Sequence, residues 1–346
     1  MSVQFTQFDR FELESGQVLH QVPVAYRTWG ELNARGDNAI VICHALTGNT
    51  DADEWWSEMI GPGKAVDTHH YFVVCANVIG SPYGSVSPLT VNPQTGEPWG
   101  ADFPTTTVRD CVSLHRLLLE QLGVTRVAFA IGGSLGGMQV LEWAFHRDLV
   151  QGVVPVAVGG RHSAWCIAWS EAQRRAIYGD PRWHDGRYDP ADPPASGLAV
   201  ARMVAMISYR SFEEFDERFG RERSDEGFHA ETYLRHQGDK LVDRFDANCY
   251  LQLTEIMDTH DVARGRGHYL DVLRSIEQPA LVVGVTTDIL YPLAEQRELQ
   301  EYLPKAELAV LDANQGHDGF LIAQEQLGEQ VRSWRERVID PLLGND

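Results

Sequence analysis

Short, uninterrupted apolar runs recur along the chain and alternate with segments of helical periodicity. The runs are rich in valine and isoleucine and lack the polar–apolar alternation of half-exposed strands, as is typical of strands covered on both faces. They cover residues 39–43, 71–78, 126–131, 152–158, 280–285 and 307–312. Apolar positions spaced three to four apart predict helices over 106–122, 135–145, 294–302 and 319–338. This alternation predicts an α/β fold, a mostly parallel sheet with helices on both faces.

One long segment interrupts the alternation. Residues 161–267 contain helical stretches, many charges and a loop rich in proline and aspartate at 180–194, but no convincing strand. Because strands resume at Ala280, we predict a single α/β core made of residues 1–160 and 268–346, with 161–267 inserted as a helical lid. The length of 346 residues also allows two domains, so a separate helical domain is the alternative.

A glycine-rich pentapeptide joins one predicted strand to the helix that follows it. Residues 132–136 read G-G-S-L-G, which is the G-x-S-x-G pattern of a nucleophile elbow in its strand–turn–helix context. Such a tight turn strains the serine backbone, and glycine at Gly132 and Gly136 removes Cβ atoms that would collide. We predict Ser134 as a nucleophile and the backbone N–H of Leu135 as an oxyanion donor. The alternatives are an idle serine and a phosphate-binding turn, although no G-x-x-x-x-G-K-[ST] motif is present.

An activated serine needs a histidine base that is oriented by a carboxylate. In α/β-hydrolases the carboxylate and then the histidine follow the serine along the chain. The predicted strand at 280–285 leads to Asp288, and the strand at 307–312 leads to His317. We therefore predict Ser134, Asp288 and His317 as the catalytic residues. Weaker candidates for the acid and the base are Asp312, His260 and His268.

The loop after the first apolar run is a candidate for the rest of the oxyanion hole. Residues 39–43 run into the sequence H-A-L-T-G, and a second oxyanion donor is expected after an early strand. We predict that the N–H of Leu46 or of its neighbour has this role. His44 precedes the serine, against the expected order, so we interpret it as a polar residue that supports the turn.

Composition and charge exclude several other classes. The chain has 29 Lys and Arg against 49 Asp and Glu, a net charge of −20, and no basic run that would bind nucleic acid. No apolar run approaches the ~18–20 residues that span a bilayer, and the first residues lack the features of a signal peptide. The five cysteines form no C-x-x-C pair, and no H-E-x-x-H motif occurs. We expect a cytoplasmic protein with free thiols, no bound metal, and no nucleic-acid or membrane partner.

Several longer motifs resemble the homoserine O-acetyltransferase family, in order and over nearly the whole chain. They are C-H-A-L-T-G at 43–48, W-W at 55–56, G-P-G-K-A at 61–65, N-V-I-G-S-P-Y-G-S at 77–85, D-F-P at 102–104, G-G-S-L-G-G-M-Q at 132–139, A-R-M-V-A-M-I-S-Y at 201–209, R-G-R-G at 264–267 and G-H-D-G-F-L at 316–321. Leu135 departs from the methionine of many members. Because it contributes a backbone N–H, the difference bears on the shape of the acyl pocket.

The resemblance implies an α/β-hydrolase fold and a ping-pong transfer from acyl-CoA, with acetyl-CoA as the expected donor, to the γ-hydroxyl of homoserine in methionine biosynthesis. No cofactor other than this co-substrate is implied. Arg202 matches the arginine that pairs with the homoserine carboxylate, and Asp318 matches the residue that receives its ammonium group. Tyr209 lies seven residues after Arg202, on the same helix face. A guanidinium and a carboxylate suit the two ends of a zwitterion.

Alternatives remain open for the residues and for the reaction. Arg202 would otherwise be a surface residue, and Asp318 would cap the last helix. A succinyl donor, a serine acceptor and a plain serine esterase are each compatible with the same catalytic residues. The resemblance also implies a homodimer through the lid, whose apolar residues include Trp165, Trp169, Met203, Met206 and Ile207.

Overall fold

The computed structural model describes residues 2–344, whose strands form one large sheet and one short ribbon. The strands are β1 Gln4–Glu12, β2 Val18–Trp29, β3 Ala39–Cys43, β4 Phe72–Ala76, β5 Val127–Gly133, β6 Val153–Val156, β7 Arg223–Ser224, β8 Gly227–Phe228, β9 Ala280–Val285 and β10 Ala306–Leu311. Within this part of the chain, eight strands form the sheet in the order β1-β2-β4-β3-β5-β6-β9-β10. In this sheet β1 pairs antiparallel with β2 and β2 with β4, whereas β4, β3, β5, β6, β9 and β10 run parallel.

Helices pack on both faces of the sheet. They are α1 Ala52–Trp55, α2 Val108–Gln121, α3 Leu135–Trp143, α4 Ala164–Tyr178, α5 Ala195–Tyr209, α6 Phe212–Phe219, α7 His229–Val242, α8 Ala247–Asp258, α9 Tyr269–Arg274, α10 Leu293–Tyr302, α11 Gly319–Ile322, α12 Gln324–Trp334 and α13 Asp340–Leu343. Alternate residues of β3 enter two hydrophobic cores: Val41 packs in the core with α2, α3 and α10, and Ile42 packs in the core with α12. The predicted α/β fold with helices on both faces is thus confirmed.

The six predicted strands are all present, but two features of the core were missed. The first is the pair β1 and β2, which form one edge of the sheet. In β1 the phenylalanines recur every third residue, at Phe5, Phe8 and Phe11, which is not the alternation of apolar and polar residues that a half-exposed strand shows. The second is the C-terminal helix, predicted over 319–338. It is divided into α11, α12 and a π-helical turn at Arg335–Ile339.

The predicted lid segment, 161–267, contains helices α4 to α8 between strands β6 and β9. It also contains the β7–β8 ribbon, so the expectation of no strand there was wrong. Helix α5 packs between α4 and α7 and contacts the 3-10 turn Gly316–Asp318 of the core.

Every helix within residues 2–344 is too short or too polar to cross a membrane. The boundaries of the lid, at residues 161 and 267, stay a prediction.

Candidate active site

Ser134 stands at the tight turn between β5 and α3. Its backbone has φ 58° and ψ −124°, a conformation that residues other than glycine rarely adopt. A Cβ at Gly136 would lie 2.1 Å from the carbonyl oxygen of Cys43, and one at Gly132 would lie 2.5 Å from the same atom. The elbow therefore packs directly against the end of β3. The strain and the two glycines match the prediction for a nucleophile elbow.

Asp288 and His317 form a buried pair next to each other. Asp288 follows β9, and His317 lies in the 3-10 turn after β10. The His317 Nδ1–H donates to Asp288 Oδ2 at 2.7 Å, while Asp288 Oδ1 accepts the backbone N–H groups of Leu290 at 2.8 Å and Tyr291 at 2.9 Å. The carboxylate is thus fixed from two sides, and the imidazole is held with its Nε2 directed away from Asp288.

The free nitrogen of His317 suits a general base. Nε2 is buried and has no hydrogen-bond partner among residues 2–344. Burial alone would lower the pKa of His317, but the adjacent Asp288 carboxylate outweighs it and raises that pKa above its usual value. Phe320 connects this histidine to the elbow: its ring lies 5.4 Å from the imidazole centroid and would be 2.4 Å from a Cβ at Gly133. The structure therefore brings His317 and Ser134 to the same end of the sheet.

The backbone N–H groups of Leu135 and Leu46 could donate hydrogen bonds to an oxyanion. Leu135 is the first residue of α3, where N–H groups lack helical partners, and Leu46 lies in the loop after β3. Neither N–H donates to an acceptor in the described part of the chain. His44 supports this loop as predicted: its Nδ1–H donates to Ala45 O at 2.9 Å, and its Nε2 accepts the Val78 N–H at 3.1 Å. Burial lowers the pKa of His44 to about 4, so it remains neutral.

Arg202 and Tyr209 lie on one face of α5, and Tyr209 packs next to His317. The guanidinium carbon of Arg202 is 5.5 Å from the Tyr209 ring centroid, and that ring is 5.7 Å from the imidazole of His317. Burial raises the pKa of Tyr209 to about 12, so its phenol stays protonated. Nη1 of Arg202 is buried with no partner among residues 2–344. An unpaired buried guanidinium nitrogen is a site that an anionic ligand group would satisfy.

Asp318 is paired with a residue that the sequence did not point out. Arg210 Nη2 lies 3.2 Å from Asp318 Oδ2, and Arg210 Nη1 donates to Glu214 at 2.8 Å. Burial raises the pKa of Asp318, although Arg210 and Arg202 oppose this shift. Its side chain makes no capping hydrogen bond to α11, so the alternative role as a helix cap was wrong. Arg210 directly follows the A-R-M-V-A-M-I-S-Y motif, and its position there was the available signal.

Metal chemistry has no candidate ligands in the described residues, since no group of three or more His, Cys, Asp or Glu side chains converges there. All five cysteines are free and buried, and burial raises the pKa of the Cys111 thiol to about 12. A thiol in such surroundings is a poor nucleophile. The chemistry of the site therefore favours the Ser134 hydroxyl over the five thiols as a nucleophile.

Comparison with known proteins agrees with this geometry. The α/β-hydrolase fold model matches residues 38–324. The homoserine O-acetyltransferase of Salinibacter ruber is 60% identical and aligns over 94% of this chain and 95% of its own length. A homoserine O-acetyltransferase structure from Bacillus anthracis superposes with a TM-score of 0.91 at 25% identity, covering 98% of each chain. An acetylester hydrolase structure from Corynebacterium glutamicum superposes with 0.87 at 25% identity, covering 97% of this chain and 96% of its own. The chain belongs to the α/β-hydrolase fold family and, within it, to the homoserine O-acetyltransferases.

Proposed function

We propose that this enzyme transfers the acetyl group of acetyl-CoA to the γ-hydroxyl of L-homoserine through an acetyl-Ser134 intermediate, as a step of methionine biosynthesis. The observation that carries the mechanism is the buried Asp288–His317 pair, whose free Nε2 lies at the same end of the sheet as the strained Ser134. The relatives named homoserine O-acetyltransferase, such as the one from Salinibacter ruber at 60% identity, support the choice of acceptor and acyl group.

In the first half-reaction the Ser134 oxygen attacks the thioester carbonyl carbon while His317 Nε2 takes the hydroxyl proton. The carbonyl oxygen becomes negatively charged and receives hydrogen bonds from the N–H groups of Leu46 and Leu135. The carbon–sulfur bond then breaks, and the imidazolium gives its proton to the departing sulfur, which leaves as CoA thiol. Asp288 stabilises the imidazolium that exists between these two proton transfers.

The second half-reaction uses the same groups in the same roles. His317, again neutral, takes the proton of the homoserine γ-hydroxyl as that oxygen attacks the acetyl carbonyl. Collapse of the tetrahedral intermediate breaks the bond to the Ser134 oxygen, which recovers the proton from His317. The product is O-acetylhomoserine, and the free enzyme is restored.

Two charged groups support recognition of the amino-acid end of the acceptor. The unpaired nitrogen of Arg202 would bind the carboxylate, and Asp318 would bind the ammonium group. Asp318 already has Arg210 as a partner, so the ammonium would join an existing ion pair. Because Arg202 lies 5.5 Å and the His317 imidazole 5.7 Å from the Tyr209 ring centroid, the carboxylate end of homoserine would bind next to the same ring as the base.

Arg202→Ala is expected to slow transfer to homoserine about ten- to a hundredfold, because the loss of a charge-assisted hydrogen bond usually lowers a rate by that factor. Acylation of Ser134 should stay normal, because that step does not involve the amino acid. Stopped-flow measurement of CoA release separates the two: the burst reports acylation, and the steady rate reports transfer. Arg202→Lys should recover little, because an ammonium cannot reproduce a two-pronged guanidinium contact. A joint loss of burst and steady rate would contradict the carboxylate role.

We also propose a homodimer formed through α4 and α5. These helices and the start of α6 expose large apolar side chains, namely Trp165, Val200, Ile207 and Phe212. Trp165 and Ile207 are among the residues that the sequence suggested, whereas Met206 is buried and is not available to a partner. An apolar surface of this kind is typical of subunit interfaces.

Light scattering at micromolar concentration should give the mass of a dimer for the native chain. Ile207→Asp introduces a charge into the exposed apolar surface and is expected to shift the population toward monomer. Glu120→Lys serves as the charge-changing control, because Glu120 is exposed on α2, outside the predicted lid. It should leave the mass unchanged. A monomeric native chain would overturn the proposal.

A serine esterase is the second candidate, favoured by the superposition on an acetylester hydrolase. Both reactions pass through an acyl-serine, so the difference is whether water or an amino-acid hydroxyl takes the acyl group. The deciding experiment is a rate matrix of acetyl-CoA and succinyl-CoA against homoserine, serine and water. We expect acetyl-CoA with homoserine to give the highest kcat/KM. Equal rates of CoA release with and without an amino acid would favour the esterase.

A further inference from the structure

Tyr291 contacts both members of the Asp288–His317 pair. Its backbone N–H donates to Asp288 Oδ1 at 2.9 Å, and its ring centroid lies 5.2 Å from that of the His317 imidazole, with 33° between the planes. The residue is fully buried, so its position is set by its neighbours in the protein. No role in the reaction described above requires its phenol hydroxyl.

That hydroxyl is held by a second buried histidine. The Tyr291 hydroxyl and His162 Nδ1 are 3.1 Å apart. On the other side of the ring, His162 Nε2 lies 3.5 Å from Ser170 Oγ and 3.6 Å from Asp258 Oδ1. Burial, with a contribution from nearby positive charge, lowers the pKa of His162 to about 3, so the ring is neutral.

A neutral imidazole offers one donor and one acceptor, which fixes the direction of these bonds. The Tyr291 hydroxyl donates to Nδ1, and the Nε2–H faces Ser170 and Asp258. In the reverse arrangement the phenol proton would have no acceptor in the described part of the chain. Asp258 is in turn held by Arg174 Nη1 at 2.8 Å. Since Ser170 and Arg174 belong to α4 and Asp258 to α8, helices of the predicted lid hold His162, the partner of the Tyr291 hydroxyl.

We propose that Tyr291, tethered by His162, is a positioning residue that holds the His317 imidazole and stabilises its protonated form. The imidazolium forms during each proton transfer and, at low pH, in the free enzyme, and the face of an aromatic ring within about 6 Å attracts a cation. Tyr209 at 5.7 Å and Phe320 at 5.4 Å complete a set of three rings around the imidazole. This inference rests on the proposed role of His317 as the base.

The test is the pH profile of p-nitrophenyl acetate hydrolysis, which requires neither CoA nor homoserine. Tyr291→Leu removes the ring and is expected to lower the plateau of kcat/KM about five- to tenfold, as for one lost cation–ring contact. It should also move the acid limb to lower pH, because an imidazolium that is less stable loses its proton more readily. A merely structural disturbance would lower the plateau and leave the limb in place. Tyr291→Phe, which keeps the ring and loses the tether, should shift the limb in the same direction by less.

The tether is tested separately at His162. Asn carries its oxygen near the position of the histidine Nδ1, so His162→Asn should restore the native limb, whereas His162→Leu should behave like Tyr291→Phe. Tyr71→Phe is the matched control. It breaks the phenol–carboxylate hydrogen bond to Asp340, which lies at the amino-terminal end of β4, away from the site, and should leave the pH profile unchanged.

Other titratable groups lie near this site. The titratable and charged groups that face the pair, Tyr291 and His162 are Asp318, Tyr209, Cys166, Glu295, Asp258, Arg174 and His260. Burial raises the pKa of Glu295 to about 7, so the profiles are repeated with Glu295→Gln. The shift caused by Tyr291→Leu should persist in that background. A shift that disappears there, or an unmoved limb in folded Tyr291→Leu and Tyr291→Phe, would overturn the inference. Activity that survives Ser134→Ala would instead overturn the proposed function.

Discussion

Ser134→Ala is expected to abolish acetyl transfer while leaving the fold intact. The serine is the hydroxyl that the strained turn presents at the end of the sheet where His317 has a free nitrogen. Removal of a nucleophilic serine of this kind costs about 10⁶-fold in kcat. Alanine fits the site without a clash because it keeps the Cβ, although φ 58° remains strained for it as it is for serine.

Intact-mass analysis after mixing with acetyl-CoA checks this result directly. The native chain should carry one acetyl adduct and the variant none, with equal melting temperatures for both. Ser275→Ala provides the matched control, because within residues 2–344 its hydroxyl bonds only to Val272 O at the end of α9. An adduct that appears on a cysteine, or that persists in Ser134→Ala, would show that the nucleophile is elsewhere.

Asp288→Asn is expected to lower kcat about 10⁴-fold without loss of structure. The native carboxylate accepts the Nδ1–H of His317 and thereby leaves Nε2 as the proton acceptor. An amide that presents its NH₂ group would reverse this tautomer and put the proton on Nε2, where it blocks deprotonation of Ser134. The same carboxylate raises the pKa of His317, so any residual activity should have its acid limb at lower pH than the native enzyme.

The chain offers a matched control for this change. Asp67 is also buried and contacts a histidine, with its Oδ2 2.9 Å from His70 Nδ1. It lies before β4, however, at the amino-terminal end of the parallel strands, and the site lies at their carboxyl-terminal end. Asp67→Asn should keep full activity at every pH. If Asp288→Asn retained activity within tenfold of the native enzyme, Asp288 would not orient the base.

The core strands and the three central site residues could be predicted because each depends on local sequence. Strands buried on both faces are apolar throughout, as β3, β5, β6 and β9 are, so they stand out from their surroundings. The elbow requires glycines beside Ser134 because backbone atoms of Cys43 approach within 2.1 Å of a Cβ at Gly136. Asp288 and His317 follow late strands, and the carboxyl ends of parallel strands meet at one edge.

What was missed depends on contacts between distant segments. Tyr291 lies over His317 because the turn after β9 folds back, and its hydroxyl partner His162 is 129 residues away in sequence. Arg210 pairs with Asp318 across a similar distance in the chain. Arg210 directly follows a recognisable motif, but neither periodicity nor that motif shows which distant residue it contacts. The β1 strand was missed for a local reason, since its phenylalanines are spaced by three and its edge position leaves Phe5 exposed.

The central claim is that acetyl-Ser134 forms and is then consumed by homoserine in preference to water. The most direct measurement is rapid-quench mass analysis of the Ser134 peptide after one equivalent of acetyl-CoA, followed by a chase with L-homoserine or buffer. We predict an acetylated peptide that loses its acetyl group quickly on addition of homoserine, with an equal amount of O-acetylhomoserine formed, and slowly in buffer. An unmodified peptide during turnover, or loss of the acetyl group at the same rate with and without homoserine, would contradict the account.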